Sequence, residues 1–272
     1  MATALVTGGT SGIGAAFAKA LAKKGYSLVL VARDVNRLHA TAAVLESAYG
    51  IEVETLAADL AVRSEVERVV ERLSDPDRPV DLLVNNAGFG VHAKLTEDAM
   101  DVHDHAFEVM IRTVLRLSGA AARSMRTRGR GSIINVSSTA GYMTMGAYSA
   151  IKAWVTAFSE GLSVELRGTG VTVTALCPGW VRTEFHERAG INTGSIPSSL
   201  WIDADELVEA CLRDATKQRA LSIPSFRYKA LITIVRHLPR STVRSISAAI
   251  NSGRRESTDE AAVGVEEKTE AR

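Results

Sequence analysis

The sequence predicts an α/β fold, a parallel doubly wound sheet with helices on both faces, in a single domain of 272 residues. Three observations carry this prediction. Short apolar runs of strand length recur along the chain. Amphipathic segments of helical period separate them. A glycine-rich turn follows the first run and opens the first helical segment.

The elements follow in order. "ALVT" (4–7) is a strand entering the glycine turn, and "AAFAKALAKKG" (15–25) has a helical apolar face that stops at Gly25. "SLVLVA" (27–32) is apolar throughout, which fits a strand buried on both faces. "VETLAA" (53–58), "VDLLVNN" (80–86), "SIINVSS" (132–138), "VTVTALC" (171–177) and "ALSIP" (220–224) complete a set of six or seven strands.

Three regions depart from the alternation. Residues 179–205 form a long polar connection, a length usual for substrate or binding loops. Its apolar residues Trp180, Phe185, Ile191, Ile196, Leu200 and Trp201 read either as a binding surface or as packing onto the domain. From Ala215 to Arg255 there are nine Lys or Arg and no Asp or Glu. The part from 227 to 250 reads either as a basic amphipathic element in peripheral contact with a membrane or partner, or as a helix packed on the domain with a solvated basic face. The polar, acid-rich tail 251–272 is expected to be disordered, leaving 1–226 as the core domain.

Composition excludes other classes. A formal net charge of +1 gives the chain as a whole no strong pull toward nucleic acid or membrane. Cys177 and Cys211 cannot build a disulfide framework, and no metal-ligand spacing surrounds them. The expectation is a reducing, cytoplasmic setting with both thiols as small buried apolar groups and no metal. The N-terminus reads as a strand rather than a signal peptide, and no apolar run reaches spanning length.

Several motifs carry chemistry. "TGGTSGIG" (7–14) places Gly8, Gly12 and Gly14 between a strand and a helix. Such glycines let the backbone approach a pyrophosphate at a helix N-terminus, and Thr10 and Ser11 add hydroxyl donors. A glycine-rich helix cap is the plainer alternative. At the tip of the second strand Ala32 and Arg33 stand where an acidic residue would select NAD. A guanidinium there pairs with a 2′-phosphate, which favours NADP(H); a solvated Arg33–Asp34 pair is the alternative. Asp59 in "AADL" can accept from an adenine amino group or cap a helix. "NNAG" (85–88) ends the fourth strand, at the edge where doubly wound sheets bind ligands.

Tyr148 and Lys152 in "YSAIK" lie one helical turn apart. A free tyrosine has a pKa of about 10, and a nearby ammonium lowers it. The pair therefore suits proton exchange with an alkoxide. Ser138, at the end of the fifth strand, can hydrogen-bond the same oxygen, with Ser137 a weaker candidate.

"TGGTSGIG", "AADL", "NNAG", "SSTAG", "YSAIK" and "CPGWVRT", in this order, resemble the short-chain dehydrogenase/reductase family over about Thr3 to Pro224. The resemblance implies a Rossmann-type fold, one nicotinamide cofactor and an oxidoreductase of small carbonyl or alcohol substrates. It implies Tyr148 as catalytic acid/base, Ser138 as the residue positioning the substrate oxygen, and Lys152 as the group that holds the nicotinamide ribose and lowers the tyrosine pKa. Ile13, Leu60, Asn86, Ala87, Gly88, Val181 and Thr183 would also lie against the cofactor. The family's habit is a homo-oligomer through two central helices, and the long loop matches its variable substrate lid. Two departures stand out. Met110 occupies the position of an asparagine that holds a relay water, and Tyr148 follows Ser138 by only ten residues, closer than is common in the family. The first leaves a catalytically silent dinucleotide-binding scaffold as the alternative reading.

Overall fold

The computed structural model describes residues 1–91, 93–96, 98–183 and 197–249. Its centre is a seven-stranded sheet: β1 (Thr3–Thr7), β2 (Ser27–Ala32), β3 (Val53–Ala57), β4 (Leu82–Asn85), β5 (Gly131–Val136), β6 (Val171–Leu176) and β9 (Leu221–Ser222). The order is β3-β2-β1-β4-β5-β6-β9, with every pairing parallel. Order reverses between β1 and β4, and the crevice at such a switch point is where this architecture binds ligands. Between β6 and β9, β7 (Trp180–Val181) pairs with β8 (Trp201–Ile202) in a small separate sheet.

The apolar strands are explained by two cores. Alternate residues of a strand point to opposite faces, so a strand covered on both sides is apolar throughout. Leu5, Val29 and Val31 join the core under α3 (Arg63–Ser74), α5 (Thr113–Arg128) and α6 (Ala147–Glu165). Ala4, Val6, Leu28 and Leu30 join the opposite core, under α1 (Gly12–Lys23), α2 (Val35–Tyr49) and α7 (Ala204–Thr216). Local signals bound the helices. The Asp34 carboxylate accepts from Arg37 N (3.0 Å) and caps α2, and Gly50 closes it in the left-handed region at φ +64. α4 (Met100–Phe107) runs into α5 through the π-helical turn Glu108–Arg112.

Polar side chains cross the core in one chain. Asn85 Nδ2 donates to Asn135 Oδ1 (2.8 Å) and Ser118 Oγ (3.0 Å), and Asn135 Nδ2 donates to Ser159 Oγ (2.9 Å). These partners join β4, β5, α5 and α6 below the ligand edge of the sheet. Cys177 and Cys211 are buried free thiols.

After β9 the chain forms α8 (Phe226–His237) and a helix over 240–249, here α9. Tyr228, Ile232 and Val235 of α8 are buried, as are Val243 and Ser247 of α9. Tyr228 Oη donates to Leu200 O (2.9 Å) and accepts from Trp180 N (3.1 Å), while a Cβ on Gly179 would overlap the Tyr228 ring. Ser247 Oγ accepts from Thr144 N (3.1 Å). Residues 227–249 thus pack on the domain by their inner face. Phe185, Ile191, Ile196 and the tail 251–272 lie outside the described residues.

Candidate active site

The turn after β1 is built for close backbone approach. Gly8 and Gly12 take φ +65 and +54, which side chains other than glycine's adopt at a cost. A Cβ on Gly14 would run into Gly8 O and Asn86 Nδ2. The turn therefore has one compact form, with Thr10, Ser11, Gly12 and Ile13 part-exposed at the N-terminus of α1.

β4 holds the turn in place. Asn86 Nδ2 donates to Thr7 O (2.9 Å) and Gly8 O (3.3 Å). Thr7 Oγ1 accepts from both Asn86 N (2.9 Å) and Ala87 N (3.0 Å). Sequence reasoning missed Thr7; the signal was a hydroxyl residue at the last position of β1. It also placed both asparagines of "NNAG" by the ligand edge, whereas Asn85 is buried and spends its amide in the core chain.

Other expected ligand residues sort as follows. Arg33 is exposed at the tip of β2 and has no ion pair among the described residues. The alternative Arg33–Asp34 pair is not formed, because Asp34 caps α2 instead. Asp59 lies just past β3, where its Oδ1 accepts from Ala61 N (2.9 Å) while Glu65 takes its backbone N–H (2.6 Å). Val62, not Asp59, is the N-cap of α3. Leu60 is buried in the core and its carbonyl accepts from Thr113 Oγ1 (2.8 Å). Val181 is buried, and Thr183 lies against the turn, with its Cβ 3.4 Å from where a Gly12 Cβ would stand.

Ser138, Tyr148 and Lys152 come together at the end of β5. The Ser138 hydroxyl accepts from Ala140 N (3.1 Å) and lies near enough to the Tyr148 phenol to favour its ionised form. Lys152 is buried, with Nζ donating to Val136 O (3.0 Å) and standing 5.7 Å from the Tyr148 ring centroid. Ser137 is no rival to Ser138. It points into the core, where its hydroxyl donates to Lys152 O (2.6 Å) and meets Thr156 Oγ1 (2.7 Å).

The electrostatics differ from expectation. Burial pushes the Tyr148 phenol up to about 12, with the nearby Ser138 hydroxyl opposing it weakly. Burial pushes Lys152 down to about 8. The expected lowering of the tyrosine is absent because the cost of burying a phenolate exceeds what a cation beside the ring, already bonded to a carbonyl, returns. The phenol therefore holds its proton at neutral pH.

Met110 sits in the middle of the π-helical turn, 1% exposed. A Cβ on Gly88 would be 3.1 Å from Met110 Sδ and 3.7 Å from Lys152 Nζ. The thioether thus fills the space beside the lysine and offers no useful hydrogen bond.

The donor set fits a dinucleotide. The site has a compact glycine turn, the N-terminus of α1 with no side-chain cap, and at the tip of β2 a cation with no ion pair among the described residues. Comparison with known proteins gives the same class. Residues 2–193 match the family model described as short chain dehydrogenase. A Streptomyces virginiae protein, named for a ketoacyl reductase of monensin polyketide synthase, is 43% identical over 195 residues, covering 68% of this chain and 72% of that one. A short-chain dehydrogenase from Sphingobium yanoikuyae, solved in complex with NADPH, superposes with a TM-score of 0.79 at 36% identity, covering 85% of this chain and 92% of that one. The bulky-bulky ketone specific alcohol dehydrogenase from Comamonas testosteroni follows at a TM-score of 0.75 and 30% identity, covering 88% and 96%. The chain belongs to the short-chain dehydrogenase/reductase family, the NAD(P)-dependent oxidoreductases of carbonyl and alcohol groups.

Proposed function

We propose that the protein reduces the carbonyl group of a bulky hydrophobic substrate, using NADPH in preference to NADH. The observation that carries this reading is the grouping of Ser138, Tyr148 and Lys152 at the end of β5, with Lys152 Nζ 5.7 Å from the Tyr148 ring centroid and beside Gly88. NADPH, when bound, supplies the hydride. Gly8 to Gly14 would hold its pyrophosphate, Arg33 its 2′-phosphate and Asp59 its adenine, with Ala87, Gly88, Val181 and Thr183 along the nicotinamide side.

The chain's own residues manage the proton. Tyr148 Oη, neutral because burial raises its pKa to about 12, gives its proton to the substrate oxygen. Ser138 Oγ holds that oxygen as charge develops on it. Lys152 Nζ, charged below about pH 8, stabilises the phenolate that remains until solvent returns the proton.

The preference for NADP(H) rests on Arg33, free of any acidic partner among the described residues. The hydrophobic substrate rests on Trp180 and Trp201, whose ring centroids lie 6.2 Å apart where the 179–205 connection leaves and rejoins the domain. The Comamonas relative's name points the same way. We place the protein as a cytoplasmic homo-oligomer, on its two free thiols and on exposed Leu115 of α5 and Val164 of α6.

The test follows NADPH absorbance with a panel of bulky ketones, aldehydes and 3-oxoacyl thioesters. Tyr148→Phe should lower kcat by about 10²- to 10⁴-fold with NADPH affinity unchanged. Turnover at the wild-type rate in Tyr148→Phe would sink the reading. NADPH binding with no oxidation on any substrate would favour the silent scaffold.

A further inference from the structure

The C-terminal helices have a second apolar face. Their inner face is spent on the domain, through Tyr228, Ile232 and Val235 of α8 and Val243 of α9. On the far side of α8, Phe226, Ala230 and Ile234 recur every four residues and form one stripe, with Leu231 at its edge. Phe226 is 83% exposed, Ile234 59% and Leu231 48%. A helix on a soluble domain needs one apolar face; two call for a second apolar environment.

Charge defines that environment. Lys229 and Arg236 lie along one side of the stripe on α8, and Arg240 and Arg244 continue along α9, all exposed. None of the four makes an ion pair among the described residues. No Asp or Glu occurs between Ala215 and Arg255 to offset them, although the whole chain carries only +1. A second copy of the same face would set these cations against one another across a two-fold axis. A nucleic acid would use the cations and leave Phe226 and Ile234 in water. A bilayer with anionic headgroups satisfies both the cations and the stripe.

We infer that the outer face of α8, extended by the cations of α9, docks on an anionic lipid surface. The geometry is that of a peripheral element, because no described helix is long and apolar enough to cross a membrane. The docked helix is also the one whose Tyr228 holds Trp180 and Leu200, so the ends of the 179–205 connection stay tied to it. That last link rests on the hydrophobic-substrate reading above; the docking does not.

The test is co-sedimentation of the full chain with phosphatidylcholine vesicles, with and without phosphatidylglycerol. The protein should pellet with the anionic vesicles only. Phe226→Ser/Ile234→Ser and, separately, Arg240→Glu/Arg244→Glu should each weaken partitioning more than tenfold. Both double variants change exposed side chains, so NADPH affinity and the melting temperature should be unchanged, and this readout is independent of turnover. No binding to anionic vesicles, equal binding to both kinds, or full binding by Phe226→Ser/Ile234→Ser would overturn the inference. So would a smaller oligomer for Phe226→Ser/Ile234→Ser in size-exclusion chromatography, because the stripe would then be a contact between copies.

Discussion

Alanine at Gly141 tests how closely the turn Thr139–Tyr142 rides on α6. The added carbon would stand 2.8 Å from Ala153 N, 2.9 Å from Lys152 C and 3.0 Å from Lys152 O. These are backbone atoms of the helix, so no side chain can swing aside; turn or helix must move. Overpacking of this kind costs about 1–3 kcal/mol, which for a chain of this size lowers the melting temperature by roughly 2–10 °C. The displaced helix carries Lys152, and a misplacement of about 1 Å at a reacting group costs on the order of a hundredfold in kcat. Gly161, on the same helix, is the control, because a Cβ there meets nothing within 4 Å. Gly161→Ala should stabilise by about 0.5–1 kcal/mol through helix propensity alone. The assay is a thermal melt of both variants together with NADPH oxidation on a bulky ketone. If Gly141→Ala melts no lower than wild type and keeps full kcat, or Gly161→Ala falls as far, the close-approach reasoning fails.

Three further predictions concern the site. Arg33→Ala should weaken NADPH by roughly ten- to a hundredfold, the worth of a charge-assisted phosphate contact, and leave NADH nearly unchanged; titration calorimetry with both nucleotides decides, and equal loss removes Arg33 from the 2′-phosphate. The Lys152 ammonium, present below about pH 8 and lost above it, should give kcat/KM for NADPH an alkaline limb near that pH; a profile flat to about pH 10 would show that its charge is not used. Ser137→Ala should cost stability, about 1–2 kcal/mol by thermal melt, with little change in kcat, whereas Ser138→Ala should lose about a hundredfold in kcat with its stability kept. Swapped outcomes for the two serines would reverse their roles.

The sheet was legible because parallel strands buried on both faces are apolar throughout, and "SLVLVA" matches β2 residue for residue. The glycine turn was legible for a similar reason, since only glycine serves at Gly14 and Gly8. What escaped depends on contacts between distant segments. Nothing local in "EVMIR" signals a π-helical turn, since the same mix of apolar and charged residues fits an α-helical turn equally well. The two asparagines of "NNAG" look alike in sequence, yet Asn85 joins Asn135 fifty residues away while Asn86 holds the glycine turn. The direction of the Tyr148 shift likewise turns on how much of the chain covers the ring, which the spacing to Lys152 does not record. The double face of α8 was half visible, in the basic run without acids; which apolar residues turn inward required the fold.

The hydroxyl of Tyr228 joins Trp180 and Leu200, and the paired strands Trp180↔Trp201 and Val181↔Ile202 close the same knot. Both ends of the intervening segment are therefore anchored independently of what lies between. Doubling the length of a loop anchored in this way costs only about 0.6 kcal/mol in closure entropy. Insertions, deletions or wholesale replacement within 184–196 should thus leave the proton-transfer groups in register. On the proposed reading of 179–205 as the substrate loop, descendants of this sequence can reach new substrates by rewriting that one segment, with the chemistry inherited intact.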